Sequence, residues 1–491
     1  MIDARKEETK SAGASSENTM NRALKTRHLS MIAIGGSIGT GLFVASGSAI
    51  STAGPGGALL AYAAIGLMVF FLMTSLGEMA TFLPVSGSFS TYATRFVDPA
   101  MGFAMGWNYW FNWAITLAVD ISTSALIMNF WFPDVPGWIF SSVFMVILFL
   151  LNALSVKSFG EAEYWFSIIK VITVLVFLVV GILTIVGIIG GHHDGLTNFT
   201  IGDAPFVGGI PSILAVFVVA GFSFQGTELI GITAGESETP EESIPKAIKQ
   251  VFWRILLFYI LAIFVISAII PYTSPNLLGS GAGDVAISPF TLVFKRAGLA
   301  AAAGVMNAVI LTSVLSAGNS GMYAGTRMLW AMAKNGQAPK IFGLINDRGI
   351  PIFALMLTTF VGTLAFASSI FGTHIYLFLV AASGLTGFIA WIGIALTHYR
   401  FRRAFIKQGH DLSELKYKAK WFPFGPLLAL FLCILVIVGQ DIQAFKDFNW
   451  QAIGITYMSV PLFIILFSYY KIKFKTKLIP LEEVDLSRHK E

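Results

Sequence analysis

Apolar runs of about 18 residues or more, separated by short polar connections, recur along almost the whole chain. They fall near 30–53, 57–82, 101–131, 136–155, 161–190, 210–235, 251–272, 297–332, 352–371, 375–399, 423–440 and 452–471. Each is long enough for an α-helix to cross a hydrocarbon core of about 30 Å. The runs lack the ten-residue alternation of an outer-membrane barrel, so the pattern predicts twelve helical spans. Two of them, the first and the sixth, are interrupted near their centres by glycine and small polar residues at matching places five helices apart.

Composition sharpens this picture. Hydrophobic residues make up 55% of the 491 and charged residues 12%, against about 25% charged in soluble domains, which excludes a water-soluble enzyme and indicates an integral membrane protein. The net charge of +5 matters through its placement. With the N-terminus inside, only Lys295, Arg296 and Lys446 lie outside and Lys170 lies within the fifth span. The rest of the 32 lysines and arginines face the cytosol, so both termini are expected there. Residues 1–20 read as a disordered cytoplasmic tail without a signal peptide, 21–475 as a single transporter domain, and 476–491 as a second cytoplasmic tail. A single cysteine, Cys433, excludes an intramolecular disulfide and a thiolate metal cage. His192 and His193 sit together in an expected outer loop without a third ligand in spacing, so no metal is expected.

Candidate chemistry concentrates in the two interrupted spans. The first carries Gly35-Gly36-Ser37-Ile38-Gly39-Thr40-Gly41, four glycines in seven residues. Each costs about 1 kcal/mol relative to alanine inside a helix. Unwound backbone is tolerated at membrane depth where it lines a cavity, and its freed N–H groups then suit a carboxylate; close helix packing is the plainer alternative. The sixth reads Gly221-Phe222-Ser223-Phe224-Gln225-Gly226-Thr227-Glu228, where freed carbonyls suit an ammonium and Glu228 is an intramembrane acid. Asp120, deep in the third span, must face the bundle interior or a wet cavity.

Lys170 lies about ten residues, or roughly 15 Å, into the fifth span, near mid-membrane, and is a candidate proton carrier. Its structural alternative is a permanent ion pair with Glu163 or Asp120. Asn319 and Ser320 in the eighth span suit either a ligand or a neighbouring helix, and Glu78 reads as a structural or snorkelling acid. No nucleophile triad, HExxH, P-loop or dinucleotide-binding fingerprint is present, so hydrolases, ATP-driven pumps and cofactors find no support.

The segments Arg27-His28-Leu29-Ser30-Met31-Ile32-Ala33-Ile34-Gly35-Gly36-Ser37-Ile38-Gly39-Thr40-Gly41-Leu42-Phe43 and Gly160-Glu161-Ala162-Glu163-Tyr164-Trp165-Phe166 resemble amino acid permeases of the amino acid-polyamine-organocation superfamily, a likeness running from about Asn21 to Lys471. Within that family, 221–238, 250–259, 316–329 and 398–412 are most similar to bacterial members specific for lysine. The resemblance implies an all-α integral membrane fold of twelve helices. Its first ten form a five-plus-five inverted repeat, about 30–190 and 210–400, with helices 1 and 6 broken and extra helices at about 423–471. It further implies a substrate carboxylate at the backbone of Gly39, Thr40 and Gly41. The α-ammonium would sit at Ser37, Phe222, Ser223 and Gln225, with Phe222 closing over the substrate. By the same likeness Lys170 stands where sodium-driven relatives hold an ion, which implies coupling to protons. Asp120 and Glu228 are then expected to neutralise a side-chain ammonium or relay the proton. The expected function is proton-coupled import of L-lysine across a bacterial cell membrane, with membrane lipids and a regulatory membrane protein as further partners. A permease or exchanger for another cationic amino acid, or a lysine sensor, stays open.

Overall fold

The computed structural model describes residues 24–190, 196–278, 288–299, 302–371 and 373–488. His192, His193 and the expected N-terminal tail lie outside them. Among the described residues all regular structure is helical, and one isolated bridge pairs Leu24 with Ser237.

Helix α1 (Thr26–Gly35) stops at the glycine run, and the chain re-enters helical geometry as a π-turn over Gly41–Ala45 before α2 (Ser46–Phe82). Within α2 the backbone turns sharply at Gly54, where φ is +74°, ahead of Pro55. That turn separates the runs predicted at 30–53 and 57–82. It is pinned from outside, because Gly56 N–H donates to Pro205 O at 2.8 Å and Val207 N–H to Ala53 O at 3.0 Å. Helix α3 (Ser88–Phe96) and α4 (Pro99–Met128) follow; Asp98 caps α4 by accepting from Ala100 N–H at 2.8 Å, with Pro99 in the first turn, where its missing N–H costs nothing.

Helices α5 (Gly137–Leu154) and α6 (Val156–Ile185) show how the chain solves burial in lipid. On α6, Glu163, Ser167, Lys170, Val174 and Gly181 share a buried face at helical spacing. Ile172, Val176 and Val179 are exposed on the other side. The polar groups thus point inward and the apolar ones outward, the reverse of a soluble helix.

The sixth run appears as α7 (Gly209–Phe224) and α8 (Leu229–Thr233), interrupted over 225–228. Helix α9 (Pro240–Arg254) passes through a π-segment (Ile255–Ile260) into α10 (Leu261–Ile269). After α11 (Pro289–Arg296) come α12 (Ala302–Lys334), α13 (Ile352–Gly362), α14 (Leu364–Phe371), α15 (Thr373–Lys407), α16 (Phe424–Gly439), α17 (Trp450–Tyr457) and α18 (Ser459–Phe474).

Among the described residues seven helices are long and apolar enough to cross a membrane, and eight if α17 and α18, which meet at a 60° bend, count as one span. The difference from the predicted twelve has identifiable sources. The first run is cut into pieces by its own glycines, the first two runs follow one another through the sharp turn at Gly54 and count together, Ile352–Ala367 and Phe424–Gly439 are short, and α12, which covers the eighth run, is not among the seven.

Two further features organise one end of the bundle. Glu78 at the end of α2 is fully buried and does not snorkel; its carboxylate accepts from the Arg402 guanidinium and from Ala419 N–H at 2.7 Å. The segment expected as a tail from 476 onward packs as far as it is described. Ile479 N–H donates to Val97 O at 2.9 Å, and the Gln408 amide donates to Leu481 O and Val484 O at 2.9 and 2.8 Å.

Candidate functional site

The two helix breaks lie against each other, and glycine makes this possible. Gly226 has φ of +95°, and a Cβ there would sit 2.7 Å from Gly36 O. A Cβ on Gly41 would lie 2.4 Å from Ser223 Cα and 2.8 Å from Ser223 N. Backbone meets backbone at both points, so no side chain could yield to make room.

At this crossing lies a small cavity of about 30 Å³, lined by Ser37, Gly39, Thr40 and Gly41 of the first break and by Phe222 and Gln225 of the second. Trp113, Thr116, Asp120 and Ala317 close it from α4 and α12. Such a volume holds about one or two waters, so an amino acid enters only when the walls move apart.

Asp120 is 2% exposed; its Oδ1 accepts from Thr40 Oγ1 at 2.9 Å and its Oδ2 has no hydrogen-bond partner among the described residues. A buried carboxylate oxygen left without a donor is costly, and it is the group in this cavity best suited to receive a proton or an ammonium. Around it the polar positions are already organised. The Ser37 hydroxyl lies 2.7 Å from Tyr259 Oη, which also donates to Ser37 O at 3.1 Å. Thr116 Oγ1 is 2.6 Å from Ser383 Oγ, and the Gln225 amide donates to Ser383 O and Gly384 O at 3.1 and 3.2 Å. Ser223, beside Gly41, shares a hydrogen bond with Tyr62 at 2.8 Å.

Lys170 is fully buried and donates to Gly35 O, the last carbonyl of α1, at 2.9 Å. Ser167, one turn earlier, comes so close that a Cβ on Gly35 would lie 2.2 Å from its Oγ, so α6 backs directly onto the end of α1. The ion pair weighed for Lys170 with Glu163 or Asp120 does not form. Glu163 instead accepts from Ser316 Oγ at 2.8 Å and from the Asn319 amide at 2.7 Å, and Asn319 Oδ1 accepts from the Asn152 amide at 2.8 Å.

The expected substrate-binding residues therefore separate into three places. Ser37, Gly39, Thr40, Gly41, Asp120, Phe222 and Gln225 line one cavity, with Ser223 directly behind Gly41. Glu228 is the last residue of the break and is not among the lining residues; its carboxylate accepts from Tyr109 Oη at 3.2 Å, Trp391 Nε1 at 3.3 Å and Gly226 N–H at 3.2 Å. Asn319 and Ser320 are buried on α12 and are not among the lining residues either. Thr116 was not anticipated, although it stands four residues before Asp120 and so shares its helix face. Tyr259, sitting in an apolar run, carries no signal in the sequence.

The arrangement positions polar groups around a desolvated cavity at a helix crossing, with a buried acid and a buried base nearby, and so suits a small polar ligand.

Comparison with known proteins agrees. Residues 28–481 match the family model for amino acid permeases. The chain is 60% identical to the lysine-specific permease of Lactococcus lactis over 98% of this chain and 96% of the relative. It is 58% identical to the lysine-specific permease of Escherichia coli over 95% of this chain and 96% of that protein. The histidine permease of Lactococcus lactis is similarly related, at 56% identity over 96% of this chain and 99% of the relative.

Proposed function

The chain belongs to the amino acid permease family, as a multi-pass membrane transporter and not an enzyme, and from that premise we propose that it is a proton-coupled symporter importing L-lysine by alternating access. Identities of 60% and 58% to lysine-specific permeases support lysine as the substrate. The observation that carries the mechanism is Asp120 Oδ2, buried and unpartnered in the cavity between the two helix breaks.

In this reading the backbone of Gly39–Gly41 receives the substrate carboxylate, Ser37, Phe222, Ser223 and Gln225 receive the α-ammonium, and Phe222 closes the site. An ionised Asp120 bonded to Thr40 would repel a carboxylate at that same backbone. Substrate binding therefore favours a protonated Asp120, or one paired with an ammonium, and this links lysine to a proton. Lys170 holds the end of α1 while protonated and loosens it when deprotonated. Glu228 faces the side-chain ammonium, and Asn319 and Ser320 back the bundle from α12.

The fold in this reading has twelve helices, the first ten in two inverted repeats, within one domain over 21–475 and with both termini cytoplasmic. It sits in a bacterial cell membrane among lipids, open to a regulatory membrane partner. A histidine permease at 56% identity gives a second reading, in which another cationic amino acid is carried or exchanged.

Counterflow in proteoliposomes separates the two readings: labelled lysine should exchange against internal lysine at a rate that excess histidine fails to suppress. Asp120→Asn, a permanently neutral stand-in for the protonated acid, should bind lysine about as well as wild type at low pH and lose the weakening of binding as pH rises. Suppression by histidine at equal concentration, or lysine binding in Asp120→Asn that still weakens with rising pH as in wild type, would overturn the respective part.

A further inference from the structure

Arg254 is 2% exposed, and its Nε, Nη1 and Nη2 all lack a hydrogen-bond partner among the described residues. The other deeply buried guanidiniums are provided for. Arg327 donates to Glu236 at 2.8 Å and lies 4.3 Å over the Tyr323 ring, and Arg402 is bound to Glu78. Arginine stays charged in proteins, so it cannot escape the cost of burial by shedding its proton. An uncompensated buried charge is strongly destabilising, so a buried guanidinium without a partner points to a state of the molecule that supplies one.

Arg254 stands beside the second break, since a Cβ on Gly66 would meet both the following residue, Ile255, at 2.6 Å and Phe224 at 3.6 Å, and Tyr259 stacks on Phe224 with ring centroids 4.0 Å apart; Tyr259 and Glu228 are the ionisable groups that its charge feels there. Tyr259 is engaged with Ser37 in the first break. Glu228 is the sole acid of the pair and is itself 1% exposed. Its contacts are uniformly long, with Tyr109, Trp391, Thr227 and Gly226 donating at 3.2 to 3.5 Å, and no cation stands within ion-pair distance of it among the described residues. Both groups sit at points where helix geometry gives way. Glu228 closes the break before α8, and Arg254 ends α9 where the backbone passes into the π-segment. Such junctions shift register at small cost, and π-segments recur at functional positions.

We propose that Arg254 is the counter-charge of Glu228 in the substrate-free half of the transport cycle, pairing with it when the carrier returns empty and yielding it when a substrate ammonium arrives. A buried carboxylate must be neutralised in every conformation that crosses between the two sides of the membrane. The substrate does this on the loaded carrier, and the guanidinium does it on the empty one. Arg254 is thus a positioning residue that sets net flux, not a substrate ligand. This inference rests on the reading that Glu228 faces the substrate side chain.

The test compares net lysine uptake with lysine–lysine exchange in proteoliposomes at saturating lysine, because exchange never requires the empty carrier to return. Arg254→Gln should keep exchange near the wild-type rate while net uptake falls by a factor on the order of 100, as removal of one partner of a buried charge pair does. Arg254→Lys, which keeps the charge, should retain net uptake. The double variant Glu228→Gln/Arg254→Gln should recover net uptake relative to Arg254→Gln, since no carboxylate is then left to neutralise. Parallel loss of exchange and net uptake in a folded Arg254→Gln, or a double variant no better than that single one, would overturn the proposal. Should Arg254→Gln fail to reach the membrane, loss of net uptake with preserved exchange in Arg254→Lys overturns it instead. Separately, Glu228→Gln with unchanged lysine affinity and unchanged discrimination against neutral amino acids would refute the placement of Glu228 at the substrate, whatever Arg254 does.

Discussion

Lys170→Ala should reduce proton-driven lysine accumulation to simple equilibration. Lys170 Nζ donates to the terminal carbonyl of α1 at 2.9 Å, with Ser167 packed against the same glycine. The last carbonyls of a helix are unsatisfied and carry its negative dipole end, so an ammonium there holds the half-helix in place. That hold contributes up to about 2 kcal/mol in a partly buried setting and disappears with the proton. Its removal should weaken lysine binding by no more than about 30-fold, because about 1.4 kcal/mol corresponds to each factor of ten. Accumulation against a gradient should vanish altogether, because α1 would no longer distinguish the protonated from the deprotonated carrier. Uptake into proteoliposomes with and without an imposed pH gradient, paired with calorimetric lysine binding, measures both quantities. Gradient-driven accumulation equal to wild type in Lys170→Ala would remove the lysine from the coupling scheme.

The second large effect is expected at Gly41. Its added Cβ would meet the Ser223 backbone at 2.4 and 2.8 Å, contacts that no rotamer change relieves. At Gly39 the nearest atom is the Ala317 Cβ at 3.0 Å, a side chain that can give by a few tenths of an ångström. Gly41→Ala should therefore force the two breaks apart and weaken lysine binding by at least about 100-fold, or roughly 2.7 kcal/mol, whereas Gly39→Ala should cost about tenfold or less. Gly454→Ala, where nothing lies within 4 Å, is the matching control and should bind lysine like wild type. Isothermal titration of the purified variants, each checked for a monodisperse elution profile, decides the order. Equal affinities for Gly41→Ala and wild type would mean that the crossing of the breaks is not the binding site.

The parts of this architecture that are legible in the sequence are those written in local composition. Four glycines in the seven residues from Gly35 to Gly41 are incompatible with an undisturbed helix, and the helix does stop at Gly35. Glycine and polar residues around Gln225 and Gly226 mark the second interruption in the same way. Depth along a span is equally readable, which is why Asp120 and Lys170 stand out. Pairing across the bundle is not. Asn319 suits a ligand or a helix neighbour equally well on paper, and the fold places it against Glu163 and Asn152. Lys170 attracts acids in any charge-based reading, yet its partner is a backbone carbonyl, a group that every residue carries and no pattern reveals. Tyr259, Ser383 and Arg254 acquire meaning only once helices far apart in sequence are brought together. The packed segment beyond 476 is invisible for the same reason, since Ile479, Leu481 and Val484 are held through their backbone groups.

The central claim, that this permease couples lysine entry to protons, is tested most directly by uptake of radiolabelled L-lysine into proteoliposomes. An inward proton gradient or an inward sodium gradient is imposed, with excess unlabelled arginine, phenylalanine or 4-aminobutyrate as competitors. Accumulation driven by the proton gradient alone and resistant to phenylalanine and 4-aminobutyrate is the predicted result. Accumulation that follows sodium, requires internal substrate regardless of pH, or is blocked by a neutral amino acid would contradict it.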